Sequence, residues 1–273
     1  MKRWAPRVAL ATVLLTGLLA FAAHVELDLP RDLEPSERGA LVVVDRRGQP
    51  LRSVASSRQP LRAQWVSLSQ VSSVAVLTLL AGEDQSFFSH SGVDGWSVLR
   101  ALWLDLKALS PRYGASTLTM QLARMLYPEQ IGHDALGKLR QLPVAWALER
   151  ALSKRQILEQ YLNRAYFGHG AYGIESAAQT YFQRPAASLS EAQATLLMVL
   201  PRGPATYDLA RHGERARARQ KHLLGLLVKQ QRLSAENVAR IVGEPVQIAL
   251  RPPRFEAGHI VDWALSNLPV SER

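Results

Sequence analysis

The chain has 273 residues, 47% of them apolar, and a net charge of +10 from 33 Lys and Arg against 23 Asp and Glu. That length allows one large domain or a domain with a lobe, and the basic balance points to an anionic partner: nucleic acid, anionic lipid or a phosphorylated substrate. The absence of cysteine excludes disulfides, thiol catalysis and Cys-ligated metal, and the His residues show no HExxH-like spacing.

In chain order, Lys2, Arg3 and Arg7 precede an uncharged apolar run from Val8 to Ala23. Sixteen residues of helix span about 24 Å, a little short of a ~30 Å hydrocarbon core, and Trp4 with the basic residues can anchor the ends at the interface. The pattern predicts a cytoplasmic stub over 1–7 and a transmembrane anchor over 8–25, with the rest of the chain exported. Ala20-Phe21-Ala22 also resembles a signal-peptide cleavage site. Both readings put the body outside the cytoplasm, which removes nucleic acid as a partner and leaves membrane phosphates.

A polar segment with Pro30 and Pro35 reads as a linker over 26–39. Leu41 to Val44 and Pro50 to Val54 read as a short hairpin around Arg46-Arg47-Gly48-Gln49. Everything later has helical spacing. Helices are expected over Val66–Gly82 and Val93–Leu109, the second with Trp96, Leu99, Trp103 and Leu106 on one face. Ser116 is expected to cap a helix that Pro128 ends. Leu136–Leu152 follows, with Pro143 a source of a kink if it lies inside the helix, and then Ser153 opens Lys154–Asn163. Phe167 to Gly173 carries no nucleotide fingerprint and reads as a tight turn. Ile174–Tyr181 comes next, then a helix opened by a Ser188/Glu191 capping box. A basic helix bears Arg215, Arg217, Arg219 and Lys221. Its charge reads as a solvated face that could also meet lipid head groups. The main domain is placed at 40–245 and a tail at 246–273.

Three clusters carry chemistry. Glu83 and Asp84 end an apolar run, and desolvation raises a carboxylate pKa, which suits a general acid or base. Ser116, Thr117, Gln121 and Arg124 gather at and beyond a helix N-terminus, a place that favours anions. Lys138 and Arg140 add cations, two residues apart and so off a common helix face.

Glu83-Asp84-x-x-Phe87-x-x-His90-x-Gly92 resembles the first signature of the peptidoglycan glycosyltransferases, glycosyltransferase family 51. Gly114-x-Ser116-Thr117-x-Thr119-x-Gln121 resembles the second. Lys154-x-x-Ile157-Leu158-Glu159-x-Tyr161-Leu162-Asn163, followed by Gly173-Ile174-Glu175-x-Ala177-Ala178, resembles a later one. The resemblance runs from Leu41 to Ser234, and Met120 with Lys138-Leu139-Arg140-Gln141 looks most like the penicillin-binding protein 1C branch. It implies an all-α, lysozyme-like fold with a larger head and a small membrane-associated jaw lobe. It also implies a bacterial inner-membrane enzyme, its catalytic domain extracytoplasmic, that polymerises lipid II into β-1,4-linked glycan strands. Undecaprenyl pyrophosphate leaves as the anomeric centre inverts. By the same resemblance Glu83 is the base, and Arg124 and Lys138 bind the donor pyrophosphate. Asp84, Ser116, Thr117, Gln121, Arg140 and Gln141 also belong to the substrate site, with His90 and Asn163 structural hydrogen-bonders.

One departure stands out. The family's third signature has Arg-Lys-x-x-Glu; aligned through Glu149, Gly137 takes the place of the Arg and Gln141 that of the Glu. Gln is not a proton carrier and is a poor metal ligand, so no cofactor is required and any divalent metal dependence is weakened. No Ser-x-x-Lys, Ser-x-Asn or Lys-Thr-Gly set follows, so the expectation is a monofunctional enzyme, with a separate transpeptidase as a candidate partner beside lipid II, the growing glycan strand and inner-membrane lipids. Two alternatives differ in class: a lysozyme-like hydrolase, which needs a second, suitably spaced carboxylate, and a lipid II-binding scaffold without turnover.

Overall fold

The computed structural model describes residues 33, 41–47, 50–54, 65–94, 116–132, 135–251, 263 and 267. The expected anchor, most of the linker, the expected Val93–Leu109 helix from residue 95 onward and most of the tail lie outside them, and Val93 and Asp94, which are described, are not helical. Among the described residues no helix is long and apolar enough to cross a membrane. Helices dominate the regular structure of these residues, beside one antiparallel strand pair, β1 (Leu41–Val44) with β2 (Pro50–Val54), in register Leu41 to Val54, and an isolated bridge between Tyr166 and Tyr172.

The described residues divide into two compact units, one within 86–158 and one within 33–85 and 159–267. The second unit contains α1 (Ser73–Glu83), which begins later than the apolar run suggests. Ser67 and Gln70 form a capping box around the 3-10 turn Leu68–Gln70, and Val71 is extended, so the helix cannot start at Val66. Most of α1 is buried, including Ala75, Thr78, Leu79, Leu80 and Ala81. Such a helix has no polar face and must be enclosed by neighbours.

The first unit is built on α2 (Leu118–Leu126), the single turn α3 (Pro128–Ile131) and α4 (Ala135–Ala151). Both α2 and α3 pack on α4. Pro128 does not merely stop α2; it is the first residue of α3, where its missing N–H is harmless. Pro143 does lie inside α4, and the helix runs on through it. The carbonyl that loses its helical donor belongs to Leu139, a residue exposed at the surface of α4.

Helix α5 (Lys154–Arg164) opens with a reciprocal cap between Ser153 and Gln156. Beyond it the second unit continues with α6 (Ile174–Phe182), α7 (Glu191–Leu197), α8 (Gly213–Lys229) and α9 (Ala235–Gly243). The cap of α7 is Ser190 with Gln193, not Ser188 with Glu191; Ser188 belongs to a preceding 3-10 turn, Ala186–Ser188. Both α7 and α8 pack on α1, and Gln220 of α8 donates to Ala192 O and Thr195 Oγ1 of α7. After α9 the chain returns along α6, where Ala249 N donates to Tyr181 O and Arg251 N to Thr180 O.

The segment entering α1 is held by α5. Asn163 Oδ1 accepts from Val66 N at 2.8 Å, and its Nδ2 donates to Val66 O at 2.8 Å. Glu159 accepts from Trp65 Nε1 and Leu68 N, each at 2.9 Å. Fully buried Arg164 donates to Gln160 Oε1 and sits over the Trp65 ring. Gly173, at φ +82, passes so close that a Cβ there would meet Asn163 O at 2.7 Å.

Asn163→Ala leaves both backbone groups of Val66 without these partners. It is expected to lower stability by about 2–5 kcal/mol, read as a fall in the urea midpoint with an unchanged slope.

Candidate functional site

In the second unit Glu83 is the last residue of α1 and is half-buried. Asp84 caps the helix, is buried, and returns its N–H to Leu80 O at 2.9 Å. Gln85 donates to Ala81 O, adding a second bond to the end of the helix. Gly82 lets α8 approach: a Cβ there would lie 3.3 Å from Leu223 Cδ1. The carboxylate of Glu83 therefore stands at the end of a stiff, enclosed helix, set by backbone rather than by a mobile loop.

The Gly-rich turn of the same unit is also rigid. Gly168, His169 and Gly170 all have positive φ, and Phe167 N and Ala171 O close the turn at 2.9 Å. Tyr181 donates to Phe167 O at 2.8 Å, and burial pushes its phenol pKa well above the usual value. His169 Nε2 lies 3.0 Å from Asp208 Oδ2. Burial works to raise the Asp208 pKa, but the hydrogen bonds from His169 and from the N–H groups of Ala210 and Arg211 win and hold it below the usual carboxylate range.

In the first unit the N-cap of α2 is Thr117, one residue later than the Ser116 expected from sequence. The cause is tertiary. Thr117 Oγ1 accepts from Met120 N at 3.1 Å and donates to Gly92 O at 2.5 Å. Gly92 is itself pressed against α4: at φ +93, a Cβ there would meet Ala145 O at 3.0 Å. The Thr117 proton is thus committed to the protein, whereas Ser116 and Gln121 are half-buried beside it. His90, expected to be a structural hydrogen-bonder, accepts from Gly92 N through Nδ1.

Arg124 is exposed in the last turn of α2, and Lys138 and Arg140 are exposed early in α4, on either side of exposed Leu139. Gln141 is buried, 5% exposed, which suits a neutral amide better than an acid without a counter-charge. The packing of α2 on α4 places the hydroxyl, amide and cation candidates on two adjoining helices of one unit, while Glu83 and Asp84 belong to the other.

Sequence reasoning gave Glu149 no role beyond anchoring an alignment. Its Oε1 accepts from Thr119 Oγ1 at 2.6 Å and from Lys154 Nζ at 2.7 Å. The available signal was indirect: Thr119 and Lys154 both stand in the quoted motifs.

Residues 47–228 match the Transglycosylase family. The chain is 40% identical over 184 residues to penicillin-binding protein 2D of Bacillus subtilis, covering 67% of this chain and 26% of that protein. It is 40% identical over 214 residues to penicillin-binding protein 1C of Escherichia coli, covering 78% of this chain and 27% of that one. Penicillin-binding protein 1F of Bacillus subtilis is 29% identical over 252 residues, covering 89% and 34%. The matches thus span about a quarter to a third of each of these relatives.

Thr117→Ala removes the cap and the bond to Gly92. It is expected to cost about 1–2 kcal/mol of stability, with Thr117→Ser close to wild type, when thermal unfolding of the three proteins is compared.

Proposed function

This chain belongs to the transglycosylase family of peptidoglycan glycosyltransferases, and on that premise we propose that it polymerises lipid II into β-1,4-linked glycan strands for cell-wall synthesis. The observation that carries the reading is Glu83: inside the matched residues 47–228, a half-buried carboxylate ends a helix enclosed along most of its length. A base fixed in this way loses little to side-chain and backbone motion before it acts.

In the proposed reaction Glu83 takes the proton of the acceptor sugar 4-hydroxyl. The oxygen attacks C1 of the donor in line. The bond from C1 to the pyrophosphate oxygen breaks, and undecaprenyl pyrophosphate leaves with the electron pair, so the anomeric centre inverts. The leaving group already carries negative charge, so cations can take the place of a general acid. Arg124, Lys138 and Arg140 supply that counter-charge. Ser116 and Gln121 offer neutral hydrogen bonds to the same pyrophosphate, Thr117 shapes the turn that presents them, and Asp84 sets the end of α1. Gln141 serves as a neutral hydrogen-bonding group on α4, with no proton to carry, and is a weaker ligand for any divalent metal than a carboxylate in its place.

A lysozyme-like head with a small jaw lobe at the membrane, an anchor over 8–25 and an extracytoplasmic catalytic domain complete this reading. Its support is the apolar run after Lys2, Arg3 and Arg7, together with a lipid-linked substrate. A separate transpeptidase is the partner proposed for cross-linking.

Two outcomes test the assignment. Glu83→Gln should lower polymerisation of labelled lipid II by about a hundred- to ten-thousandfold, the usual worth of a general base, with thermal stability retained. Retained turnover removes Glu83 from that role, and lipid II binding by a wild type that makes no polymer favours a scaffold. Arg124→Ala should weaken use of the pyrophosphate donor, by about tenfold for the loss of one charge-assisted contact. An unchanged rate at both limiting and saturating lipid II overturns that role.

A further inference from the structure

Among the groups the mechanism above leaves unused is the Glu149–Lys154 ion pair. Glu149 lies near the end of α4 with its side chain 8% exposed. Its Oε1 receives two donors, Thr119 Oγ1 and Lys154 Nζ. Thr119 is fully buried in the first turn of α2. Lys154 begins α5, and its ammonium lies 4.3 Å from the centroid of the Phe87 ring. Gly92 lies against the same side chain: a Cβ there would come within 3.1 Å of Glu149 Cγ. The Glu149 side chain on α4 thereby links α2 and α5 through its carboxylate and packs against Gly92 through its Cγ.

A buried carboxylate needs a counter-charge, and Lys154 alone meets that need. The Thr119 bond does something further. Together with the bond from Thr117 to Gly92 O, it holds the first turn of α2 at two points, directly to α4 and to Gly92, which lies against α4, at 2.6 and 2.5 Å. That turn follows Ser116 and carries Gln121 at its end. Proton transfer is not the function of Glu149, because its engaged oxygen is already occupied by a hydroxyl and an ammonium.

We propose that Glu149, held in place by Lys154, is a positioning residue for donor binding: it acts through Thr119 to fix the N-terminal turn of α2 against α4. The inference rests on the reading that this turn meets the donor pyrophosphate. The physical basis is that a contact turn displaced by a fraction of an ångström loses most of its oriented hydrogen bonding.

The test uses the purified full chain in detergent, with lipid II polymerisation (kcat and KM) and lipid II binding (Kd) measured on the same samples. The variants are Thr119→Val, Thr119→Ser, Glu149→Gln and the double variant Thr119→Val with Glu149→Gln. Thr119→Val keeps the shape and removes the hydroxyl. It should raise Kd and KM about tenfold, with kcat much less affected, the scale of one hydrogen bond to a charged group. Thr119→Ser should restore both values. The double variant should be no worse than the weaker single one, because both act on one link. Unchanged Kd and KM in Thr119→Val overturn the inference, as do single effects that multiply in the double variant. So does a variant that loses thermal stability while its folded fraction binds normally. If the wild type binds lipid II without polymerising it, the functional reading falls and Kd alone decides the positioning role. If it neither binds nor polymerises, both fall.

Discussion

The side-chain amide of Asn163 holds the entrance to the helix that carries Glu83. It accepts from Val66 N and donates to Val66 O, so one planar group replaces both partners that a strand or helix would have given that residue. Buried backbone groups left without partners are costly, and this segment belongs to no regular element. The carboxylate of Glu159, one turn earlier on α5, serves Trp65 and Leu68 in the same way. Gly173 then lies against the Asn163 backbone with no room for a side chain. These polar contacts fix the entry to α1, and its packing on α7 and α8 fixes the rest of its course to Glu83.

The first unit uses the same device with a charge at its centre. Glu149 collects a hydroxyl from α2 and an ammonium from α5, and Phe87 stacks on that ammonium. The cations at Arg124, Lys138 and Arg140 are exposed by contrast. The division is physically sensible. Paired charges inside give directional, rigid links. Unburied cations keep their hydration until an anionic partner arrives, and so carry little desolvation cost in the resting protein.

Helix ends separate what local sequence can decide from what it cannot. Ser153 with Gln156 makes its cap as a sequence-local rule predicts, because both residues belong to the same turn. Ser116 loses the cap of α2 to Thr117, because Gly92, 25 residues earlier in the chain, offers a carbonyl to the threonine hydroxyl. Ser190 displaces Ser188 because a 3-10 turn takes up the residues before it. Pro143 sits within α4 without ending it, a result the local sequence does not decide.

The amino-acid sequence by itself determined the helical class, the β1–β2 pair and the acidic end of α1. It also marked the hydroxyl-rich entrance of α2 and the basic residues of α4, since each is written in residues adjacent along the chain. Glu83 was legible because an abrupt change from apolar to acidic marks a helix tip whatever surrounds it. Only the tertiary structure decided which of two neighbouring hydroxyls caps α2, that Gln141 is buried, and that Glu149 links Thr119 to Lys154. Those outcomes depend on which groups from distant parts of the chain arrive within 3 Å of one another. A hydrogen bond is short-ranged and directional, and spacing along the chain carries no record of it.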